Sequence, residues 1–254
     1  MSRIVITTVD QSLEGSQSDP QAGVKSHQVL DHDRPIQLWK HRLEPNATLR
    51  MLAVDFGRLL FVWDGSALVF GERFVQDAAI VVEHRANVDV RAGAEGCELL
   101  EFQSIAAVPH RDGGRVHALN LDRAPSTDLP NGRGHVLSDA DCPTCELWLH
   151  RNGFETPFHS PRHCHTEDEV IVCTKGSIRF GTRDLGRGGV LAINKNAFYS
   201  FSTTDESAAF INFRSSESAV IIADKTGAHS PRKESLKGLC AKPTSAVAFD
   251  WVAT

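Results

Sequence analysis

The chain has little of what nucleic-acid-binding, membrane and secreted proteins require. Its 27 Lys and Arg residues are scattered and are outnumbered by 32 Asp and Glu, for a net charge of −5. This balance disfavours a nucleic-acid partner. No apolar run approaches the roughly 18 residues that span a bilayer. A secretory leader has an apolar h-region and a small-residue cleavage site. Residues 1–20 have neither. We therefore expect a cytoplasmic protein with no nucleic-acid or membrane partner.

Cysteine and phosphate-loop signals are also sparse. The chain has six cysteines, which we expect to be free thiols in a reducing compartment. Cys142 and Cys145 form a Cys-x-x-Cys pair, but no second such pair completes a zinc knuckle. We therefore interpret this pair as a turn with two buried thiols rather than half a zinc site or a redox pair. The glycine-rich stretch 184–189 lies in a predicted hairpin, not between a strand and a helix, which disfavours nucleotide binding.

Long helical periodicity is missing as well, and short apolar segments take its place. They are rich in Val, Leu, Ile and Phe and are separated by Gly, Asp and Asn, as strands are. The segments are 59–63, 67–70, 79–82 and 97–102 in the first half, and 169–173, 177–180, 189–193, 198–202, 208–214 and 219–222 in the second. The pattern predicts an all-β protein.

The two halves also resemble each other, which predicts a repeated β unit. When residues 59–90 are laid on 170–201, Gly65 falls on Gly176 and Val82 falls on Ile193. Two antiparallel units of this size favour barrels or jelly rolls. The predicted organisation is an N-terminal extension (1–40), an N-terminal barrel (41–107), a polar linker (108–141), a C-terminal barrel (142–225) and a C-terminal extension (226–254).

One spacing in the second half is typical of a metal site. His163, His165 and Glu169 have the same parity, so on one strand they face the same side, whereas Cys164 faces the other. Two imidazoles and a carboxylate with open positions form the facial triad of non-haem Fe(II) sites, and Zn, Mn or Ni can use the same donors. The alternative is a set of surface polar residues at the start of a strand.

The same residues carry a family resemblance. His163-x-His165, three residues, Glu169, six residues and Gly176 are similar to the first cupin motif, and Gly188 is in place for the second. The second motif is otherwise degraded, with Asn194, Asn196 and Tyr199 at its expected Pro, Gly and His positions. The resemblance covers roughly residues 145–222 well and 42–105 weakly. It implies a bicupin, two tandem jelly-roll barrels, and a homodimer.

Tyr199 is the only tyrosine of the chain and stands where the motif would supply a third histidine. It could ligate the metal, provided that the metal removes its proton. It could instead orient a water or substrate, or act as a general acid. An ordinary core aromatic with a satisfied hydroxyl is the plainest alternative.

The N-terminal copy lacks the motif residues. The same alignment puts Leu52, Val54 and Arg58 on the three ligand positions, and Val88 on the Tyr199 position. We therefore expect this half to be a scaffold without metal, filled by its own side chains.

Three further residues are weaker candidates. Asn212 and Arg214 share one face of the strand 208–214 and could anchor an anionic substrate, because arginine binds carboxylates in bidentate fashion. A solvated strand end is the alternative. His159 is interpreted as an ordinary loop histidine near the motif.

These observations favour a metal-dependent enzyme that acts on a small organic molecule. The expected cofactor is one divalent metal ion, Fe(II) by preference, held by His163, His165 and Glu169 with Tyr199 as ligand or catalytic group. The resemblance implies a dioxygenase or another oxygenase most directly. A redox-neutral isomerase or lyase using Zn, Mn or Ni and a non-catalytic ligand-binding bicupin remain open.

Overall fold

The computed structural model describes residues 3–13, 21–155, 157–204, 207–223 and 229–230. They divide into two compact units. The N-terminal unit contains the described residues of 9–124 and of 137–147. The C-terminal unit contains 3–8, 125–136 and the described residues from 148 onward.

Strands dominate both units, as the short apolar segments predict. The first are β1 (Ile4–Thr8), β2 (Val24–Gln28), β3 (Gln37–Leu43), β4 (Thr48–Met51), β5 (Arg58–Val69), β6 (Glu72–Val75), β7 (Ala79–Val82), β8 (Val88–Gln103) and β9 (Val116–Leu119), followed by a 3-10 turn (Leu121–Arg123). The others are β10 (Ser126–Leu129), β11 (Gly132–Ser138), β12 (Trp148–Phe154), β13 (His163–His165), β14 (Glu169–Lys175), β15 (Ser177–Phe180), β16 (Arg183–Gly186), β17 (Gly189–Ile193), β18 (Ser202–Thr203), β19 (Ala208–Arg214), β20 (Val220–Ala223) and β21 (His229–Ser230). Within the described residues, no helix has the length and hydropathy that a membrane crossing requires.

The sheets repeat one strand order. The N-terminal sheet runs β2-β3-β8-β5-β7-β9, with β4 paired to β8 and β6 to β5. The large C-terminal sheet runs β1-β17-β14-β19-β12-β11-β10. The stretches β3-β8-β5-β7 and β12-β19-β14-β17 are equivalent, and their pairings are antiparallel. Two smaller sheets, β13-β20-β21 and β16-β15-β18, complete the C-terminal unit. The prediction of two all-β jelly-roll units is confirmed.

Some equivalent positions of the two units have different side chains in the core. The N-terminal core contains Leu60, Val82 and Val88, as expected of a unit filled by its own aliphatic side chains. Its C-terminal counterpart contains Ile171, Ile193 and Tyr199 in the same alignment. Each fully buried aliphatic side chain contributes about 1.5–3 kcal/mol relative to exposure. The Val88-to-Tyr199 difference places a hydroxyl in the second interior.

The boundaries of the units differ from the predicted ones. Strand β1, expected in an N-terminal extension, pairs with β17 of the C-terminal sheet, and β2 pairs with β3. The expected linker 108–141 contains β9, β10 and β11. These strands are short and rich in polar residues, so their composition resembles that of a connection. The predicted extension 226–254 lies outside the described residues except for β21.

Candidate functional site

The motif residues lie where the C-terminal unit brings three strands together. His163 and His165 belong to β13, and Glu169 begins β14 because the apolar run that follows it favours an extended strand. In register, Glu169 stands opposite Ile193 of β17 and Arg214 of β19. Both histidines and the carboxylate are buried, and all three line one small cavity. The three side chains reach one cavity, but not from one strand as predicted, because β13 ends at His165 and Glu169 begins β14.

Glu169 is the centre of a buried hydrogen-bond network. Its Oε1 accepts hydrogen bonds from Asn212 Nδ2 (3.1 Å), Arg214 Nε (3.0 Å) and Arg214 Nη2 (2.5 Å). Its Oε2 accepts a short hydrogen bond from the Tyr199 hydroxyl. Burial raises the pKa of the Glu169 carboxyl, but the charge of Arg214 and these donors outweigh it and leave the pKa well below its usual range. Glu169 is therefore ionised and fully occupied by its neighbours.

His163 has the orientation of a metal-binding imidazole. Its Nδ1 lies 2.7 Å from the carbonyl oxygen of Pro161 and 3.3 Å from Ser160 Oγ. The carbonyl can only accept, so Nδ1 carries the proton and Nε2 keeps its lone pair. Burial lowers the pKa of His163, which keeps the ring neutral. A backbone carbonyl on the remote nitrogen is the usual support of a metal-ligating histidine.

Arg214 occupies the space between the other two predicted ligands. Its Nη2 donates to His165 Nε2 at 3.0 Å and to Glu169 Oε1, while His165 Nε2 lies 3.7 Å from Glu169 Oε2. The guanidinium carbon also sits 4.2 Å from the centre of the Trp148 ring, a stacked cation–π contact. Burial, aided by Arg214 and His163 and opposed by Glu169, lowers the pKa of His165 to about 3. The positive charge between His165 and Glu169 is thus the guanidinium of Arg214.

His165 has one buried nitrogen without a hydrogen bond. Its Nε2 accepts from Arg214, so Nδ1 carries the proton, and Nδ1 has no hydrogen-bond partner. A buried donor left unsatisfied costs about 1–3 kcal/mol. A role in binding or catalysis is one explanation for such a group.

Tyr199 is held against His163 by backbone and ring contacts. Each of the two residues donates its amide N–H to the other's carbonyl, at 2.8 and 2.9 Å. The ring centroids are 4.4 Å apart. The hydroxyl donates to Glu169, so in this arrangement Tyr199 keeps its proton and stands beside the carboxylate.

The space among these residues is small. The cavity lined by the motif residues, Tyr199, Asn212 and Arg214 has a volume of about 20 Å³. That is room for roughly one water-sized particle. A small organic molecule therefore needs a side chain to move, and Arg214 is the one that spans the cavity between His165 and Glu169.

The remaining predicted residues lie outside this cavity. His159 is a loop residue whose Nδ1 lies 2.8 Å from Ser202 Oγ. In the N-terminal unit Arg58 donates to the carbonyl oxygen of Leu52 at 2.7 Å, and Leu52 is 67% exposed. The side chains at the aligned positions, Leu52, Val54 and Arg58, offer no metal donors.

A second group of potential ligands lies in the N-terminal unit and was missed by sequence reasoning. Its members are Glu83, His117, Cys142 and Cys145, and their ligand atoms lie within 4.8 Å of one another. Among the described residues this is the one group of three or more such donors that lie so close together. The signal was the Cys-x-x-Cys pair, but Glu83 is 59 residues from Cys142 in sequence. The five described cysteines form no disulfide with one another, as expected; Cys240 lies outside the described residues.

Comparisons with known proteins agree on the fold and go no further. No family model matches the sequence, and no curated protein matches it. Among solved structures, the protein Ylba from E. coli has a TM-score of 0.64 at 9% identity, covering 84% of this chain and 90% of that one. The oxalate decarboxylase of Lactobacillus farciminis, in a formate complex, has 0.67 at 11% identity, covering 85% and 88%. The oxalate decarboxylase of Bacillus subtilis, in a structure described by its Mn(II) centres, has 0.63 at 13% identity, covering 84% and 78%.

These neighbours are cupin-fold proteins. The likeness therefore shows that this chain has the cupin jelly-roll fold. At 9–13% identity it shows no activity and no metal. The predicted ligand set, the iron and the oxygenase reaction remain predictions.

Proposed function

We propose that the chain is a metal-dependent enzyme that acts on a small organic molecule in its C-terminal barrel. His163, His165 and Glu169 would hold one divalent metal ion, with a non-haem Fe(II) oxygenase as the leading reaction class. The observation that carries the proposal is the buried convergence of two neutral imidazoles and an ionised carboxylate, with the tautomer of His163 set by Pro161.

The donor set fits a divalent cation in type and number. Glu169 is ionised, and His163 directs the lone pair of its Nε2 away from Pro161. His165 has its lone pair on Nε2, which accepts from Arg214 in this arrangement. The condition is that Arg214 withdraws from His165 and Glu169, because two cations cannot share one buried carboxylate without mutual repulsion. When bound, the metal supplies a Lewis acid with open positions for small ligands.

The neighbouring side chains have separate tasks in this proposal. Arg214 and Asn212, once released from Glu169, are suited to bind an anionic group, because the guanidinium pairs with a carboxylate in bidentate fashion. Tyr199 holds a proton on its hydroxyl, directed at Glu169, and could deliver it as a general acid. Burial of the site excludes water from these exchanges.

A redox-neutral reaction is the second candidate, with the isomerase or lyase class and Mn, Zn or Ni as the metal. The observation that favours it is the arginine, which suits a carboxylate substrate, together with the similar structures. Those include oxalate decarboxylases, one of which is described by its Mn(II) centres. A non-catalytic ligand-binding protein is the third candidate, favoured by the internal neutralisation of Glu169 by Arg214.

Metal analysis of matched variants separates the three candidates. The full chain is purified without added metal, and its metal content is compared with that of His163→Ala/His165→Ala. The difference counts the metal held by the C-terminal site alone. His159→Ala, a loop histidine bonded to Ser202, and Arg58→Ala of the N-terminal unit are the controls and should retain all metal.

Each outcome favours one candidate. Loss of iron in the double variant, with oxygen uptake by the wild type, supports the oxygenase. Loss of manganese, zinc or nickel without oxygen dependence supports the redox-neutral enzyme. Equal metal content in the wild type and the double variant contradicts metal binding at this site and leaves the ligand-binding protein.

A further inference from the structure

Four side chains that the C-terminal site does not use meet inside the N-terminal unit. They are Glu83, which follows β7, His117 on β9, and Cys142 and Cys145 on the loop after β11. All four are buried. Burying a carboxylate, an imidazole and two thiols together is costly unless they bond to one another or to a metal.

The distances between their ligand atoms match the edges of a tetrahedral zinc site. Zinc bonds of about 2.3 Å to sulfur and about 2.0–2.1 Å to nitrogen or oxygen separate the ligand atoms by about 3.3–3.8 Å. His117 Nε2 lies 3.3 Å from Glu83 Oε1. Cys142 Sγ lies 3.7 Å from Glu83 Oε1, and Cys145 Sγ lies 3.7 Å from His117 Nε2. Three of the contacts thus have the lengths that a shared central ion would impose.

Strand pairing brings the side chains of Glu83 and His117 together. Val81 of β7 stands opposite His117 of β9 in the antiparallel register. Glu83 comes two residues after Val81 and shares its face, so its carboxylate lies diagonally beside the His117 ring. The backbone N–H of Arg115 donates to Glu83 Oε2 at 3.0 Å, which leaves Oε1 turned toward the imidazole and the thiols.

Hydrogen bonds from Arg111 and Thr144 hold the loop that carries Cys142 and Cys145. Arg111 Nη1 lies 2.6 Å from the carbonyl oxygens of Ala140 and Cys145 and also contacts that of Cys142, so its two hydrogens are shared among three acceptors. One guanidinium nitrogen thus contacts three carbonyl oxygens of the loop that carries both thiols. The hydroxyl of Thr144, between the two cysteines, donates to Glu83 Oε1 at 2.6 Å. This is the kind of outer support that orients metal ligands.

We propose that Glu83, His117, Cys142 and Cys145 bind one structural zinc ion, which fastens the loop 139–147 to the β7–β9 edge of the N-terminal unit. Two thiolates and an imidazole are the soft and borderline donors that suit zinc, and a carboxylate oxygen is also among its usual ligands. The site is closed, with four protein donors and no exposed face, which is the pattern of structural rather than catalytic zinc.

Zinc analysis of the full chain tests the proposal. Protein purified without added metal and dialysed against a chelator should retain one zinc per chain. Cys142→Ser/Cys145→Ser should lose that zinc. Cys97→Ser, a buried thiol of β8 outside the group, should keep it. The variant His163→Ala/His165→Ala should also keep it, so failure of this proposal is distinguishable from failure of the C-terminal metal site.

X-ray absorption at the zinc edge can be measured on the wild-type chain, so the test does not depend on whether the cysteine variant folds. We expect two sulfur neighbours at about 2.3 Å and two nitrogen or oxygen neighbours at about 2.0–2.1 Å. Limited proteolysis should cut within 139–147 in the double cysteine variant and spare that loop in Cys97→Ser. The proposal is overturned by a wild-type chain without stoichiometric zinc, by zinc with nitrogen and oxygen neighbours alone, or by a Cys142–Cys145 disulfide in the purified protein.

Discussion

Arg214 decides how the C-terminal motif behaves at the level of single residues. A buried carboxylate requires a positively charged partner. For Glu169 that partner is either the guanidinium of Arg214, which contacts it here, or a divalent metal ion. Both would occupy the space between Glu169 and His165. We therefore expect arginine and metal to compete for one carboxylate, so that each stabilises the protein most when the other is missing.

The first prediction concerns Arg214→Met. In metal-free protein this change leaves Glu169 buried without its charge partner, and breaking a buried ion pair in this way costs about 3–5 kcal/mol. Adding Mn(II) should restore more stability to the variant than it adds to the wild type. Urea unfolding of both proteins, with and without Mn(II), measures the difference.

Arg179→Met is the matched control for that experiment. Arg179 pairs with Asp184 across the exposed β15–β16 hairpin, so its loss should leave the unfolding midpoint unchanged with or without Mn(II). An equal response of wild type and Arg214→Met to Mn(II) would show that metal and arginine do not share a position.

The second prediction concerns Tyr199→Phe, which removes the hydroxyl that bonds to Glu169 and keeps the ring against His163. If Tyr199 acts as a general acid, the variant should bind metal normally and turn over about 10²–10⁴-fold more slowly. If it ligates Fe(III), oxidised wild-type protein should show a phenolate charge-transfer band that the variant lacks. No other tyrosine in the chain can contribute to that band.

Metal content and turnover rate, measured on the same preparation, separate these roles. A Phe variant with wild-type values of both would mean that Tyr199 only packs. Metal binding would then rest on His163, His165 and Glu169 alone.

Strands and their pairings explain which parts of the molecule could be predicted from sequence. Alternation along a strand is a local property, so the common facing of His163 and His165 on β13 followed from their spacing alone. Glu169 begins a different strand, β14, so its position beside them depends on how the strands pair. The repeat was visible because both copies need glycine at one bend: Gly65 has φ +73° and Gly176 has φ +64°. Only glycine adopts this region without steric cost.

Contacts between distant strands could not be predicted in the same way. Arg214 reaches Glu169 because β19 pairs with β14 in one register, although the two residues are 45 apart in sequence. Glu83 and His117 meet the Cys-x-x-Cys pair for a similar reason, since β7 pairs with β9. Hydrophobic periodicity specifies which residues face inward, but the partner of each one depends on register.

The third prediction tests the glycine at the bend of β5. A Cβ at position 65 would lie 2.4 Å from the carbonyl oxygen of Gly96, and φ is positive. Gly71 also has a positive φ, but nothing lies within 4 Å of its added Cβ. Gly71→Ala should thus cost only the left-handed strain of about 1–2 kcal/mol. Gly65→Ala should cost more because the backbone of β8 must also shift.

Chemical unfolding of the two alanine variants measures this difference directly. Equal destabilisation would mean that β8 moves aside without cost. The close approach of Gly65 to Gly96 would then be unimportant to the fold.

The whole molecule has an uneven distribution of exposed apolar residues. The large hydrophobic side chains most exposed among the described residues are Leu52, Phe70, Val75 and Val108, and all four belong to the N-terminal unit. Exposed apolar groups favour contact with another protein surface, so we expect the N-terminal unit to be the one that takes part in assembly.

The fourth prediction is that the chain forms a homodimer through its N-terminal unit. Sedimentation equilibrium at micromolar concentration should give roughly twice the chain mass of 27.8 kDa. Leu52→Lys/Val108→Lys should shift the equilibrium toward the single chain, because lysine in an apolar contact must give up its hydration. Arg179→Met, in the exposed hairpin of the other unit, should leave the mass unchanged. A single-chain mass for the wild type would contradict the dimer, and an unchanged dimer in the lysine variant would place the contact elsewhere.

Metal content should stay the same in both association states, since each group of candidate ligands lies within one unit of one chain.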